Sequence, residues 1–554
     1  MTDVDLPVRA QAMRCRCRFG APWHFFVLGL FLAGCAEQID PVTDAGLGGN
    51  AFRPAPELAA GHVAWRAWSN QDSAQALARP IFLFLYTRRS YWCREMAARC
   101  FDDSDLAGEL CRGTFPIRVD ADRRPDLAER FGMGGWPSAV FLTPEGEWMT
   151  GSTYMDPSDL RLLLRRVRVY FDVPERLEEL ARQQARLKAR QALETRPARY
   201  LEPSPAVLGR LADSTRTAVA RGENPGGEAF LLLLEYGRLA GDKGVEEAAL
   251  AGLRRLASGP LRDADGAFFL APLTPDAALA DREKPLASNA GLLAAFSQAA
   301  LQTGQAAYRK AALELGKALL SWSYAPSDSL FGAGLTGFAG VEGPGSGEKG
   351  YALLAEGMTP FRDGAIYAGW NGLAISAFLA LHRVAPGKGY GTVGRQAMDA
   401  LQRRLRLRDG RVGHFLGASV ETPLLLADQA LVARAALDLY DMEGRPEDLQ
   451  FAQDLAGAML KRFGGGPGAL RDWISGPGSV QSPAVDGLLP SANGVAAQVF
   501  LRLYAVDGLD IYREAGGRIL GALAGASMDR AAYAGALGRG LAAFLRDAYT
   551  KRAE

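Results

Sequence analysis

Ser90-Tyr-Trp-Cys93 has the spacing of a thiol–disulfide exchange turn, with a serine where the attacking sulfur would stand. Dithiol exchange needs two sulfurs, one to attack and one to resolve the mixed disulfide, so Cys93 supports at most a monothiol reaction. Ser90 would then donate a hydrogen bond to the sulfur, and a helix N-terminus with Arg94 beside it would lower the thiol pKa. Gly134-Gly-Trp136-Pro137 supplies the facing loop, with a proline expected to be cis that lies beside an extended peptide. Further along the chain, Glu283, Asp428 and Asp486 could serve as general acid and partner carboxylate, Tyr367, Trp370 and Trp473 as aromatic platforms, and Asn371 and Asn493 as amide contacts for a carbohydrate. The same residue types also cap helices and tie loops together, and taken singly each favours that structural role.

The surrounding sequence must position these groups. Ile81 to Tyr86 is a continuous apolar run and reads as a central strand, with Phe115 to Asp120 as its parallel neighbour and Pro125 to Phe131 as a short helix. Ser138 to Thr143 and Trp148 to Ser152 flank a Pro144-Glu-Gly146 turn, and a helix follows from Pro157 to Tyr170. His62 to Trp68 is expected to lead into an amphipathic helix ending at Ala78. This order of elements is that of a thioredoxin-like α/β domain, placed at 61–172.

Trp92-Cys93-x-x-Met96, Val119-Asp120 followed by Arg124-Pro125-Asp126, Gly134-Gly-Trp-Pro137 and Gly151-Ser-Thr-Tyr154 resemble the spermatogenesis-associated thioredoxin-like family and its bacterial homologues. The resemblance implies a thioredoxin-like domain joined to a helical toroid. The family's redox turn usually reads Cys-His-Trp-Cys-His, against Ser90-Tyr-Trp-Cys93-Arg94 here, which makes this a divergent member. The second cysteine of such a turn is normally the shielded one, and this favours an inert Cys93 in a retired redox site.

Residues 173–203 are rich in Arg, Glu, Gln and Ala and read as a connecting helix. Helical segments then recur at 204–221, 226–240, 244–258, 287–303, 305–322, 366–384, 390–406, 424–442, 446–463, 489–506, 508–526 and 529–548, in adjacent pairs with short links. Periodicity alone fits an open solenoid or a closed ring. Glu283-Lys284, Asn289-Ala290, Trp370-Asn371-Gly-Leu373, Asp428 and Asp486-Gly487-x-x-Pro490-Ser491-x-Asn493 resemble the family's toroid. They imply an all-α (α/α)6 toroid of the six-hairpin glycosidase type over 204–550, similar to sugar epimerases. The family's histidine in Pro-His-Phe-Glu-Lys is absent from Ala280-Asp-Arg-Glu283-Lys284, which weakens an epimerase-like reading.

Arg14, Arg16 and Arg18 precede an apolar run from Trp23 to Leu32 that ends in Leu32-Ala-Gly-Cys35. This resembles a bacterial lipoprotein signal over 1–34, with Cys35 lipidated and 35–60 as a tether. The expected location is the bacterial cell envelope, facing the periplasm, and Ala36 points to the outer membrane. Membrane attachment would come only through the anchor at Cys35. With 63 Lys+Arg against 62 Asp+Glu, no global field favours nucleic acid, and four scattered histidines make a metal centre unexpected; no cofactor is called for. Of six cysteines, Cys93, Cys100 and Cys111 would remain as thiols. A Cys100–Cys111 disulfide and three unpaired buried thiols are both open. The partners expected are envelope proteins or peptides, with a carbohydrate as the alternative.

Three readings compete: a monothiol or peptide-binding envelope lipoprotein, a carbohydrate-processing toroid with a vestigial thioredoxin domain, and a scaffold without chemistry. Whether the protein is an enzyme stays open, and dithiol oxidoreductase activity is not expected.

Overall fold

The protein is described from a computed structural model. It covers residues 53–54, 61–70, 77–172, 182, 200–272, 280–281, 283–335, 361–417, 424–464, 468–474 and 484–553. The expected signal peptide, the lipidation site Cys35, most of the tether and nearly all of the connecting helix lie outside these residues.

Ile81–Tyr86 is buried at every position, as a strand covered on both faces must be. It pairs in parallel with Phe115–Asp120 and antiparallel with Ser138–Leu142, which pairs in turn with Trp148–Ser152. On one face the helix Ser104–Gly113 and the helix Pro157–Asp172 cover Phe82, Phe84 and Phe141; on the other, Leu83, Leu85 and Val140 pack with Phe131 and Leu127. Most of the helix expected between Trp68 and Ala78 falls on residues 71–76, outside the described residues. Arg66 bridges Ile117, Trp68–Asn70 is a single 3-10 turn, and Ala78 has φ 49°. Trp65 packs on Phe82, Phe84 and Phe101 whereas Trp68 packs on Phe131, so the two rings serve opposite faces of the sheet.

Beyond residue 200 the chain forms an all-α (α/α)6 toroid. Six inner helices, Gly227–Ala240, Leu286–Thr303, Ala368–Val384, Leu426–Glu443, Ala492–Asp507 and Gly535–Phe544, each pack on the next, and the last packs back on the first. The outer helices are Pro205–Ala220, Lys243–Ser258, Ala306–Trp322, Tyr390–Leu405, Pro446–Ala458 and Asp510–Ser527. Closure depends on close approach: a Cβ on Gly227 would stand 2.2 Å from the Gly291 backbone, and one on Gly535 2.5 Å from Ala229 N. The segment expected as one helix over 529–548 is broken. A 3-10 stretch, Met528–Tyr533, contains the non-helical Arg530, and there the chain turns from the outer to the inner ring.

An internal repeat stitches the loops at the N-terminal ends of the inner helices. Asn289 accepts from Phe268 N at 2.8 Å and donates to Phe268 O at 3.0 Å. Asn371 does the same with Phe331, Gln429 with Val412, and Asn493 with Leu470. Each amide satisfies a buried donor and acceptor together, the condition for an irregular loop to pack on a helix end.

Candidate functional site: a buried junction at the toroid mouth

The redox turn follows the central strand and enters the N-terminal mouth of the toroid. Arg89 is 4 % exposed. Its Nη2 donates to Asp122 Oδ1 at 3.2 Å, its Nε to Glu283 Oε2 at 3.3 Å, and its guanidinium lies 5.0 Å from the centre of the Trp370 ring. Burial disfavours a cation here, yet Asp122 and Glu283 outweigh it and raise the Arg89 pKa further. His414 locks the opposite side: Nδ1 meets Asp428 Oδ2 and Nε2 meets the Asp122 carbonyl, each at 2.8 Å. Both partners are acceptors, so only the imidazolium can donate from both nitrogens. Burial pushes the His414 pKa down, but Asp428 and the Asp122 carbonyl carry it above its ordinary value. The other Asp428 oxygen accepts from Gly369 N at 2.8 Å, at the start of the inner helix Ala368–Val384. Arg123 stacks on Phe415 at 5.0 Å and Arg94 lies 5.9 Å from the Phe361 ring centre, extending the contact. Arg53–Pro54, inside the segment read as a tether, pairs in parallel with Phe361–Arg362 of the toroid.

Two carboxyls at this junction bear on its pH response. Burial, then the charge of Asp122, push Asp120 up to about 7. Burial likewise raises Asp363.

Cys93 is fully buried, and burial pushes its thiol up to about 12 against the hydrogen bond from Ser90 and the Thr87 backbone. At neutral pH the sulfur is protonated and shielded, so the helix-terminus and Arg94 effects expected from the sequence lose to desolvation. Of the two arrangements left open for the cysteines, the structure has the unpaired one: Cys93, Cys100 and Cys111 are free thiols. Cys100 Sγ is directed at Met155 O and Cys111 Sγ accepts from Ala64 N, so the two sulfurs serve different backbone partners. The Trp136-Pro137 bond is cis; Pro137 is buried and Trp136 exposed.

Of the residues singled out in the toroid, Glu283, Tyr367, Trp370 and Asp428 gather at this junction. Tyr367 is buried between Trp370 and His414, with ring centres 5.2 and 5.3 Å away. Asn371 and Asn493 are loop clamps. Asp486 stands apart: it accepts from Ser491 N and Ala536 N, tying two inner-helix starts together, and burial and the charge of Glu228 push it up to about 7. Trp473 pairs with Leu425 in a short strand. The sequence reading passed over Arg89, Asp122, Asp363 and His414. Two arginines set between an apolar strand and Ser90 were the available signal, since charge next to a buried strand requires partners. Among the described residues no group of three or more His, Cys, Asp or Glu side chains could hold a metal ion. Nor is any described helix long and apolar enough to cross a membrane.

Residues 57–194 match the family described as "Protein of unknown function, DUF255" (Thioredox_DsbH). Spermatogenesis-associated protein 20 of Homo sapiens is 30% identical over 122 residues, covering 19% of this chain and 16% of its own length. An uncharacterized protein of Caenorhabditis elegans is 33% identical over 112 residues, 18% of this chain and 15% of its own length. The chain therefore matches only a small part of the length of these curated relatives. Among solved structures it is similar to cellobiose 2-epimerase from Bacillus thermoamylovorans, with TM-score 0.42 and 12% identity over 53% of this chain and 74% of that one. It is also similar to unsaturated glucuronyl hydrolase from Bacillus sp. GL1, with TM-score 0.41 and 13% identity over 61% of this chain and 95% of that one. In its thioredoxin-like region the chain is similar to spermatogenesis-associated protein 20, with Ser90 at the first position of the Ser90-Tyr-Trp-Cys93 turn.

Proposed function

We propose that this protein is a lipid-anchored binding scaffold of the bacterial cell envelope whose thioredoxin-like domain is a fixed cap on the toroid rather than an oxidoreductase. The observation that carries this reading is Arg89, buried between Asp122, Glu283 and Trp370, with Cys93 sealed behind it. Each domain fills the opening through which the other would admit a substrate. Attachment through Cys35, facing the periplasm and with Ala36 favouring the outer membrane, belongs to the same proposal. The exposed Trp136 beside Pro137 leaves an edge where an extended segment of an envelope protein or peptide would dock.

The test is differential alkylation of the full chain. Cys93 should react with iodoacetamide only after denaturation, and Ser90→Cys should gain no insulin-reductase activity. Rapid native labelling of Cys93, or reductase activity in S90C, would restore the monothiol reading.

A second reading keeps carbohydrate processing at the toroid mouth, favoured by the His414–Asp428 pair beside Glu283 and Tyr367. Both His414 nitrogens and Glu283 are engaged, so this chemistry requires the cap to lift. Heat on titration with oligosaccharides that Trp370→Ala abolishes would support it.

A further inference from the structure

The inner helices enclose a cavity of about 800 Å³ that none of the candidate site residues line. Its size lies within the range typical of small-molecule sites, roughly 300–1,000 Å³. Exposed Arg383 and Asp441 stand at its rim, near the C-terminal ends of two inner helices, and buried Glu228, Arg434 and Gln498 lie deeper.

Every carboxylate in the lining already has a cation. Glu228 is shared by Arg434 and Arg539, each at 2.6 Å, Glu235 pairs with Arg539 at 2.7 Å, and Arg502 holds Asp438 at 2.6 Å and Asp441 at 2.7 Å. The arginines are less complete. Arg434 is 7 % exposed and donates only Nη1, to Glu228; its Nε is buried without an acceptor, and its Nη2 donates to no described residue. Nε–H and Nη2–H together form the fork that a carboxylate fills. Arg124 shows the filled form, with Nε and Nη2 on the two oxygens of Asp126 at 2.8 and 2.6 Å. A buried guanidinium with an empty fork lacks the acceptor that a guest anion would bring. Five arginines line the cavity against four carboxylates, and Arg383 at the rim makes no hydrogen bond or ion pair among the described residues. A guest with one negative charge both completes the fork and balances that surplus. The walls beside Arg434 are aliphatic, with Leu231, Leu373 and Leu379, and no aromatic side chain lines the cavity, so a sugar ring has no face to stack on whereas a short hydrocarbon chain does.

We infer that this cavity binds a small aliphatic monocarboxylate, its carboxylate held by Arg434 Nε and Nη2 and its chain against Leu231, Leu373 and Leu379, with Arg383 attracting the anion at the rim. The site is independent of the capped mouth.

The test is isothermal titration of the full chain, at low ionic strength, with hexanoate, hexanamide and hexylammonium. Hexanoate should release heat, hexanamide should bind about tenfold more weakly or worse, about 1.4 kcal/mol, and hexylammonium should be silent. Arg434→Lys keeps a cation beside Glu228 but removes the fork, and should weaken hexanoate at least about tenfold. An unchanged circular dichroism spectrum will show that R434K folds. If it does not fold, Arg383→Gln, which alters only an exposed side chain, locates the site in its place and should weaken hexanoate roughly two- to fivefold. Absence of heat from hexanoate, equal binding of hexanamide, binding of hexylammonium, or an affinity for hexanoate unchanged in the folded variant would each overturn the assignment. None of these outcomes alters whether Cys93 is accessible, so this inference and the proposed function fail separately.

Discussion

The two ends of the toroid use buried arginines in opposite ways. At the N-terminal end Arg89 comes from another domain, and its carboxylates are drawn from both sides of the junction, so satisfying the charge holds the domains together. At the other end Arg434, Arg502 and Arg539 pair with carboxylates of the inner ring itself, and the cavity they line stays open. Similar residue types thus seal one mouth and furnish the other. What differs is whether the partner of each charge lies within the ring or beyond it.

That contrast can be broken most severely inside the ring. Glu228→Gln removes the carboxylate shared by Arg434 and Arg539; its pKa is held at about 2, since burial is outweighed by the two guanidiniums. Chemical denaturation should show a loss of roughly 3–5 kcal/mol, the cost of stranding buried charge. Arg89→Ala should cost somewhat less overall, roughly 3 kcal/mol, but should change the shape of unfolding. Calorimetry should separate one transition into two as the cap loosens, whereas a single transition at a lower midpoint would show that Arg89 does not join the domains.

Asn371→Ala tests the clamps that hold the mouth loops. Removing the amide leaves Phe331 N and O unpaired, and the expected loss is about 1–3 kcal/mol in denaturant titration. A change below about 0.5 kcal/mol would argue that water replaces the clamp.

Asp120 and His414 at the junction and Glu228 inside the ring should also respond to pH in opposite directions. Asp120 in the folded junction titrates near 7, above its ordinary 3.8, and the pKa of His414 is raised above 6.5. Both groups bind protons more tightly folded than unfolded, so the stability they lend is full at acid pH and is lost as pH rises through neutrality. Glu228 has the reverse sign: its contribution is present above about 4.5 and is lost as pH falls toward 2. The melting temperature should therefore decline from about pH 5 to 8, and Asp120→Asn should flatten that decline while leaving the acid limb unchanged. An identical slope in D120N would remove Asp120 from the pH response. The smallest effect belongs to Trp136→Ala, which should shift stability by no more than about 0.5 kcal/mol because the ring is exposed, and should weaken only the capture of an extended peptide.

Much of this architecture was legible in the residues themselves. The apolar strand at 81–86, its parallel and antiparallel neighbours, and the paired helical segments follow from hydrophobic period, which depends on neighbours a few positions away. The helix expected between Trp68 and Ala78 falls largely on residues 71–76, outside the described residues, while Trp65 and Trp68 are claimed by opposite faces of a sheet built from later sequence. At the candidate site, Glu283, Tyr367, Trp370 and Asp428 do converge. Asn371 and Asn493 carry the residue type of a binding amide but face a loop backbone.

The sequence by itself determined the order and kind of the elements and the loss of the first redox cysteine, because those depend on local pattern and residue identity. Tertiary structure alone decided that the ring closes, that Asp122 accepts both Arg89 and His414 at the seam of two domains, and that Cys93 lies sealed behind them. Those outcomes rest on partners 33, 194 and 292 residues apart in the chain, and on a desolvation that raises the Cys93 thiol to about 12 where helix position and Arg94 would have lowered it.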